Sequence, residues 1–247
     1  TIDGVASSNS SGTLVSSFLV TDTVYAKISY HGNGNGPQVR LYVTSVSPSN
    51  GASLTDVSGG YETVTTSASA TLFAVWSPSL TAGTYYIVLD QDRNGVYSSS
   101  AGDKVSSSFT ISKLSTTITV GCSPLTVDKT GTQTTTISGY LTSSSVGVAN
   151  KVITISYSDG TFHTIGTCTT NASGRYQFLW DVPSSVANGY YVIKAAFAGD
   201  STYSSSYAQT SGGGNLFVVP EFPFGGLAAL AACIAAFGLF KKRKSFS

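Results

Sequence analysis

The chain is poor in the residues from which catalytic and metal centres are built. Of its 247 residues two are histidine, three are cysteine and only 10% are charged. Neither His31, beside a Gly-Asn-rich stretch, nor His163, inside a β-like stretch, has a zinc-protease spacing or an adjacent nucleophile. A Gly-x-Ser-x-Gly elbow and a phosphate-binding glycine loop are both missing. The expectation is a protein that is not an enzyme. Basic charge is scarce too. The net charge is +1, and four basic residues stand together at 241–244, so the rest of the chain is mildly acidic. Such a balance lacks the positive field that phosphate neutralisation needs, which excludes nucleic acid as an expected partner.

What is abundant is serine and threonine, more than a quarter of the chain. Short runs of Val, Ile, Thr, Tyr and Phe alternate with Gly, Asn, Ser and Pro, and no long stretch before the tail has helical periodicity. The reading is all-β. Strands are expected near 13–20, 23–30, 38–44, 61–66, 70–76, 84–90 and 105–111, and again near 116–120, 133–141, 151–156, 161–169, 175–180, 190–197 and 215–219.

The two halves repeat each other. Leu72-Phe73-Ala74-Val75-Trp76 leads through Pro78 and Gly83 to Tyr85-Tyr86-Ile87-Val88, and Phe178-Leu179-Trp180 leads through Pro183 and Gly189 to Tyr190-Tyr191-Val192-Ile193. A Trp closing one strand and a Tyr-Tyr pair opening the next can set large rings across a sheet interface, each burying on the order of 150–250 Å². About seven short strands per ~110 residues is the count of an immunoglobulin-like sandwich. The segments 170–176 and 196–203 further resemble the Ig-like repeat domains of bacterial and archaeal surface proteins. That resemblance implies β-sandwiches serving as spacers, adhesive modules or binding platforms. The expected division is 1–113 and 114–219 for two tandem sandwiches, followed by 220–247.

The last segment reads as a membrane address. Seventeen uncharged, largely apolar residues, 224–240, precede Lys241-Lys242-Arg243-Lys244. As a helix the run would reach about 25 Å, slightly short of a ~30 Å hydrocarbon core, and the basic cluster would stay on the cytoplasmic side. Pro220-Glu221-Phe222 ahead of it resembles the C-terminal sorting signals of archaeal surface proteins, which membrane transpeptidases called archaeosortases are thought to cut. The tail is read either as such a processed signal or as a plain transmembrane or assembly helix. A start at Thr1 without an apolar leader is what removal of a secretory signal leaves. All of this gives an extracellular, membrane-anchored cell-surface location.

Candidate sites follow. In Asp90-Gln91-Asp92-Arg93-Asn94-Gly95-Val96 oxygen-bearing side chains alternate before a glycine, resembling the first half of an EF-hand loop. Asp90, Asp92, Asn94, the Val96 carbonyl and a returning Asp103 form a candidate Ca²⁺ site, against the alternative of a polar Asx turn. Cys233 lies in the apolar run, leaving Cys122 and Cys168 as the soluble pair. Their bridging in an oxidising exterior is the expectation, closing a loop of about 47 residues worth roughly 4 kcal/mol. Two separate thiols are the alternative. Asn9 and Asn171 head Asn-x-Ser sequons that export could glycosylate. The 14 tyrosines are assigned mainly to core packing, a sugar-stacking platform being the alternative. Function is expected to be structural, as a self-assembling filament or surface-layer subunit, or alternatively a membrane-tethered module binding surface glycans. The apolar segment 14–20 is a candidate for completing a neighbour's sheet in a homopolymer.

Overall fold

A computed structural model describes residues 1–68, 71–129 and 133–219. The expected apolar helix, the Pro220-Glu221-Phe222 motif and the basic cluster lie outside these residues. Among the described residues the regular structure is strand, save two three-residue 3-10 turns, Ser99–Ala101 and Gly212–Gly214. No helix among them is long and apolar enough to cross a membrane. The described residues divide into two compact units, Thr1–Ser115 with Gly199–Ser204, and Thr116–Ala198 with the described chain after Ser204.

The first unit contains β1 (Ile2–Ser8), β2 (Ser17–Leu19), β3 (Val24–Tyr30), β4 (Asn35–Thr44), β5 (Glu62–Ser67), β6 (Leu72–Trp76), β7 (Gly83–Asp90), β8 (Lys104–Val105) and β9 (Phe109–Ser112). One sheet has the order β1-β3-β6 and the other β2-β9-β7-β4-β5, with β8 added to β7. Alternation makes each sheet two-faced: Val24, Ala26 and Ile28 of β3 are buried while Lys27 and Ser29 are exposed. The inward faces of both sheets share one core, Val24, Ala26 and Ile28 meeting Leu41, Ile87, Leu89 and Phe109. Shared burial between two sheets defines a β-sandwich.

The second unit contains β10 (Thr117–Ile118), β11 (Gly121–Ser123), β12 (Thr126–Asp128), β13 (Thr134–Ser143), β14 (Val146–Gly147), β15 (Val152–Ser158), β16 (Phe162–Thr169), β17 (Arg175–Asp181), β18 (Gly189–Phe197), β19 (Ser206–Gln209) and β20 (Leu216–Val219). Its strand order repeats the first unit's. The path β11-β13-β17 matches β1-β3-β6, and β12-β20-β18-β15-β16 matches β2-β9-β7-β4-β5. In both, the opening strand pairs antiparallel in one sheet, then its continuation crosses over and runs parallel to the last strand, Ser17 opposite Thr110 and Thr126 opposite Phe217.

The aromatic repeat is thus a packing repeat with one variation. Trp76 meets Tyr85 edge to face, centroids 4.8 Å apart at 88°. Trp180 instead stacks on Tyr157 at 5.1 Å and 26°, and Tyr157 meets Tyr191 edge-on at 5.6 Å. Only one tyrosine of each pair is fully buried. Tyr85 and Tyr191 are 7% and 5% exposed, whereas Tyr190 is 70% exposed, so strand alternation limits the core assignment of the tyrosines to half of each pair.

Three strand expectations need correction. The segment 14–20 does not wait for a neighbour: β2 pairs with β9 in its own unit, and Phe18 and Val20 are core residues. The expected strand 105–111 is broken, because the Ser106 hydroxyl accepts the Ile87 N–H at 2.9 Å and donates to the Ser107 carbonyl, ending β8 before β9 begins. Thr210 does the same for Ile193, at 3.0 Å, between β19 and β20. Strand β1 lies outside the expected set because Gly4 and Ser7-Ser8 dilute its apolar pattern, although Ile2 and Val5 reach the core.

Candidate functional site

Strand β7 delivers Asp90, fully buried, to the start of a loop that returns through Ser99–Ala101 to Asp103, 2% exposed, just before β8. The loop turns sharply at Gly95 and Gly102, whose φ angles of 78° and 94° are left-handed and favour glycine. Its outer side is pinned by backbone bonds, Leu54 N–H to the Gly95 carbonyl at 2.8 Å and Tyr97 N–H to Ala52 at 2.9 Å.

The carboxylates organise this loop from within. Asp90 accepts the Arg93 and Gly95 N–H groups at 2.6 and 2.9 Å. Asp103 accepts those of Gln91 and Ser98 at 2.8 and 2.7 Å. The exposed Asp92 accepts from the Asn94 side chain at 2.7 Å, and Asn94 Oδ1 accepts the Val96 N–H at 2.6 Å. Asp90, Asp92 and Asp103 each bring a carboxylate oxygen within 4.8 Å of the others. Three of the five residues expected to ligate are therefore gathered, while Asn94 and Val96 bond each other across an Asx turn.

No lysine or arginine forms an ion pair with these carboxylates among the described residues. Arg93 bonds Gln38 at 2.5 Å, and Arg40 bonds the Arg93 carbonyl at 2.6 Å. Burial holds the Asp90 carboxyl above the usual carboxylate range; the Gly95 N–H offsets part of this, and Asp92 and Asp103 push it further up. Negative charge is thus concentrated and met by amide dipoles rather than by a basic side chain among the described residues. A divalent ion is chemically suited to the donor set, since hard cations take carboxylate oxygens that also accept loop amides. In the corresponding loop of the repeat, Asp200 accepts Thr202 and Tyr203 N–H groups, both at 2.8 Å, and the further acidic positions are lacking.

The two sequons share one backbone design. Asn9 Oδ1 accepts Ser11 N–H, Ser11 hydroxyl and Thr13 N–H at 3.1, 2.7 and 3.0 Å, and Asn171 Oδ1 accepts Ser173 N–H, Ser173 hydroxyl and Arg175 N–H at 3.0, 2.8 and 3.0 Å. Gly12 and Gly174 follow at φ 77° and 75°. The Asn-x-Ser pattern therefore has a turn-forming role independent of any glycan. Asn171 is exposed and Asn9 half-buried.

The cysteine expectation is not met in this structure: Cys122 and Cys168 are both free thiols. They belong to different sheets, on β11 and β16. Burial pushes the Cys122 thiol up to about 11 and raises that of Cys168. The histidines sit against carboxylates, His31 with Asp3 and His163 with Asp159 at 3.0 Å.

No family model matches the chain, and no curated protein matches it in sequence. Among solved structures it is similar to the tetra-tandem repeat in the extending region of a large adhesion protein, with 20% identity, 85% of this chain and 48% of that one covered, and a TM-score of 0.37. The chain therefore spans about half of that protein's solved length. It is similar also to the D0-D1 domain of intimin, at 14% identity with 85% and 99% covered and a TM-score of 0.28. The adhesin InvE of Yersinia pseudotuberculosis follows at 14% identity, 85% and 57% covered, and a TM-score of 0.34. The sandwich architecture is read from this chain's own strand order and buried cores.

Proposed function

We propose that the chain is a non-enzymatic structural protein of the cell surface, in which two tandem Ig-like sandwiches stand outside the membrane and the segment 220–247 ties them to it. The observation that carries this reading is the order of parts: two β units with their own cores, then an apolar run at 224–240 set between Pro220-Glu221-Phe222 and a basic cluster. The charge-poor, Ser/Thr-rich composition suits an exported life, and the repeated sandwich suits a spacer or a subunit of a filament or surface layer.

Calcium fits this role as a local stiffener of the first unit. Support comes from the gathered oxygens of Asp90, Asp92 and Asp103, which carry no basic counter-charge among the described residues. The sequons at Asn9 and Asn171 add possible sites of surface glycosylation.

Fractionation tests the location. The full chain should stay with membranes through alkaline extraction, and protease added to intact cells should remove both β units. Recovery in the soluble cytoplasmic fraction, shielded from external protease, would contradict the proposal.

A further inference from the structure

The outer face of the second unit's larger sheet presents aromatic rings to solvent. Along β18, Tyr191, Ile193, Ala195 and Phe197 are buried, and the alternating Tyr190, Val192, Lys194 and Ala196 lie on the other face. Tyr190 stacks on Phe217 of β20, centroids 4.3 Å apart and planes at 18°. Roughly 13 Å further along the strand, Lys194 sets its ammonium 5.0 Å from the Phe162 ring centroid and 4.9 Å from that of Tyr207. These rings come from β16 and β19, and Tyr207 is 66% exposed.

Around Lys194 the strands β15, β16, β18 and β19 contain no Asp or Glu, and Lys194 is their single lysine or arginine. The acidic residue of this sheet's strands, Asp128, stands on the far edge strand β12, which pairs with β20 and not with β18. One exposed hydroxyl lies beside it: Ser156, opposite Lys194, is buried with its hydroxyl 3.5 Å from that of Thr164, and Thr164 on β16 is exposed. Exposed rings gathered on one face are a recognition feature rather than a packing one. Flat apolar rings accept the C–H faces of sugars, the Thr164 hydroxyl suits a sugar hydroxyl, and a cation held between two rings suits an anion.

From this arrangement we infer that the face binds an acidic polysaccharide of the uronate class. Sugar rings lie on Phe162, Tyr207 and Tyr190, and a sugar carboxylate pairs with Lys194. The inference adds a ligand to the surface role proposed above and rests on that role only for where the ligand is met.

The test is affinity electrophoresis of the full chain in gels holding polygalacturonate, its fully methyl-esterified form or polyglutamate. Polygalacturonate should retard the protein, less so as salt rises, and the other two polymers should not. Lys194→Gln and Tyr207→Ala should each weaken retardation about tenfold with unchanged thermal melting, because both side chains project from the sheet. Val46→Ser, an exposed apolar position in the first unit, should behave as wild type. No retardation, equal retardation by the ester or by polyglutamate, or an unchanged Lys194→Gln variant would overturn the inference. A chain that fractionates with the surface but ignores polygalacturonate overturns this inference alone; one that binds it but proves cytoplasmic overturns the surface role alone.

Discussion

Asp90 and Asp103 hold one loop from its two ends, each buried carboxylate accepting two backbone N–H groups, so that amides from Gln91 to Ser98 converge on them. Asp92 stands beside them in solvent and accepts the backbone N–H and side-chain amide of Asn94. Asp90 and Asp103 therefore serve both the loop's own structure and its capacity for a cation, whereas Asp92 serves the second without being required by the first.

Asp92→Asn should leave the melting temperature in chelator nearly unchanged, within about 0.5 kcal/mol, and should reduce the rise that calcium produces in the wild type. Asp90→Asn should cost about 1–3 kcal/mol even in chelator, because the amide cannot accept both N–H groups. Equal wild-type melting with calcium and with chelator would remove the calcium site and leave the loop as an Asx turn.

The pH dependence has a defined sign. Burial raises the Asp90 carboxyl in the folded protein, which therefore binds a proton more tightly than the unfolded chain does. Without calcium, this group favours the fold below the ordinary carboxylate range, and that contribution is lost as pH rises through the raised value. Calcium needs the ionised form, so the calcium-induced increment should fade as pH falls from about 7 toward 4. Melting curves across that range, with calcium and with chelator, should show the two trends opposed at Asp90 and neither in Asp90→Ala.

Glycines separate open turns from crowded ones. A Cβ at Gly174 would lie 2.4 Å from the Leu141 carbonyl oxygen, and one at Gly139 would lie 1.9 Å from that of Thr119. Both meet backbone, so alanine at either position should cost several kcal/mol, on the order of 3. Gly12 makes the same turn as Gly174 with nothing nearer than 3.9 Å, and Gly12→Ala should cost only about 1 kcal/mol. Denaturant unfolding of the three variants gives the ranking.

The thiols give a chemical check. With its value near 11, Cys122 is almost wholly protonated at neutral pH. Iodoacetamide should label Cys122 slowly in the native protein near pH 8, faster as pH rises, and readily after unfolding without reductant, as peptide mass spectrometry would show. A requirement for reductant would restore the bridge between Cys122 and Cys168.

Much of the fold could be read from the residues, because period-2 alternation and the Trp/Tyr-Tyr repeat report burial directly. Strands such as β3 and β18, with their alternating cores, stood out for that reason. The crossing strands β11 and β12 did not, since each is three residues long and Pro124-Leu125 separates them. In the Asp90 loop, spacing identified the carboxylates that meet, but the amides they accept depend on how Gly95 and Gly102 turn the chain. The aromatic face around Lys194 was hidden for another reason. Phe162, Tyr207 and Lys194 come from three strands whose register no local pattern encodes. Alternation within β18 was the available signal, since it sends Tyr190 outward whenever Tyr191 is buried.

The central claim is a structural role at the cell surface, and electron microscopy of native surface material with antibody against this chain tests it most directly. The account predicts labelled regular filaments or a lattice outside the membrane. Surface material with no label, or label confined to the cell interior, would contradict it.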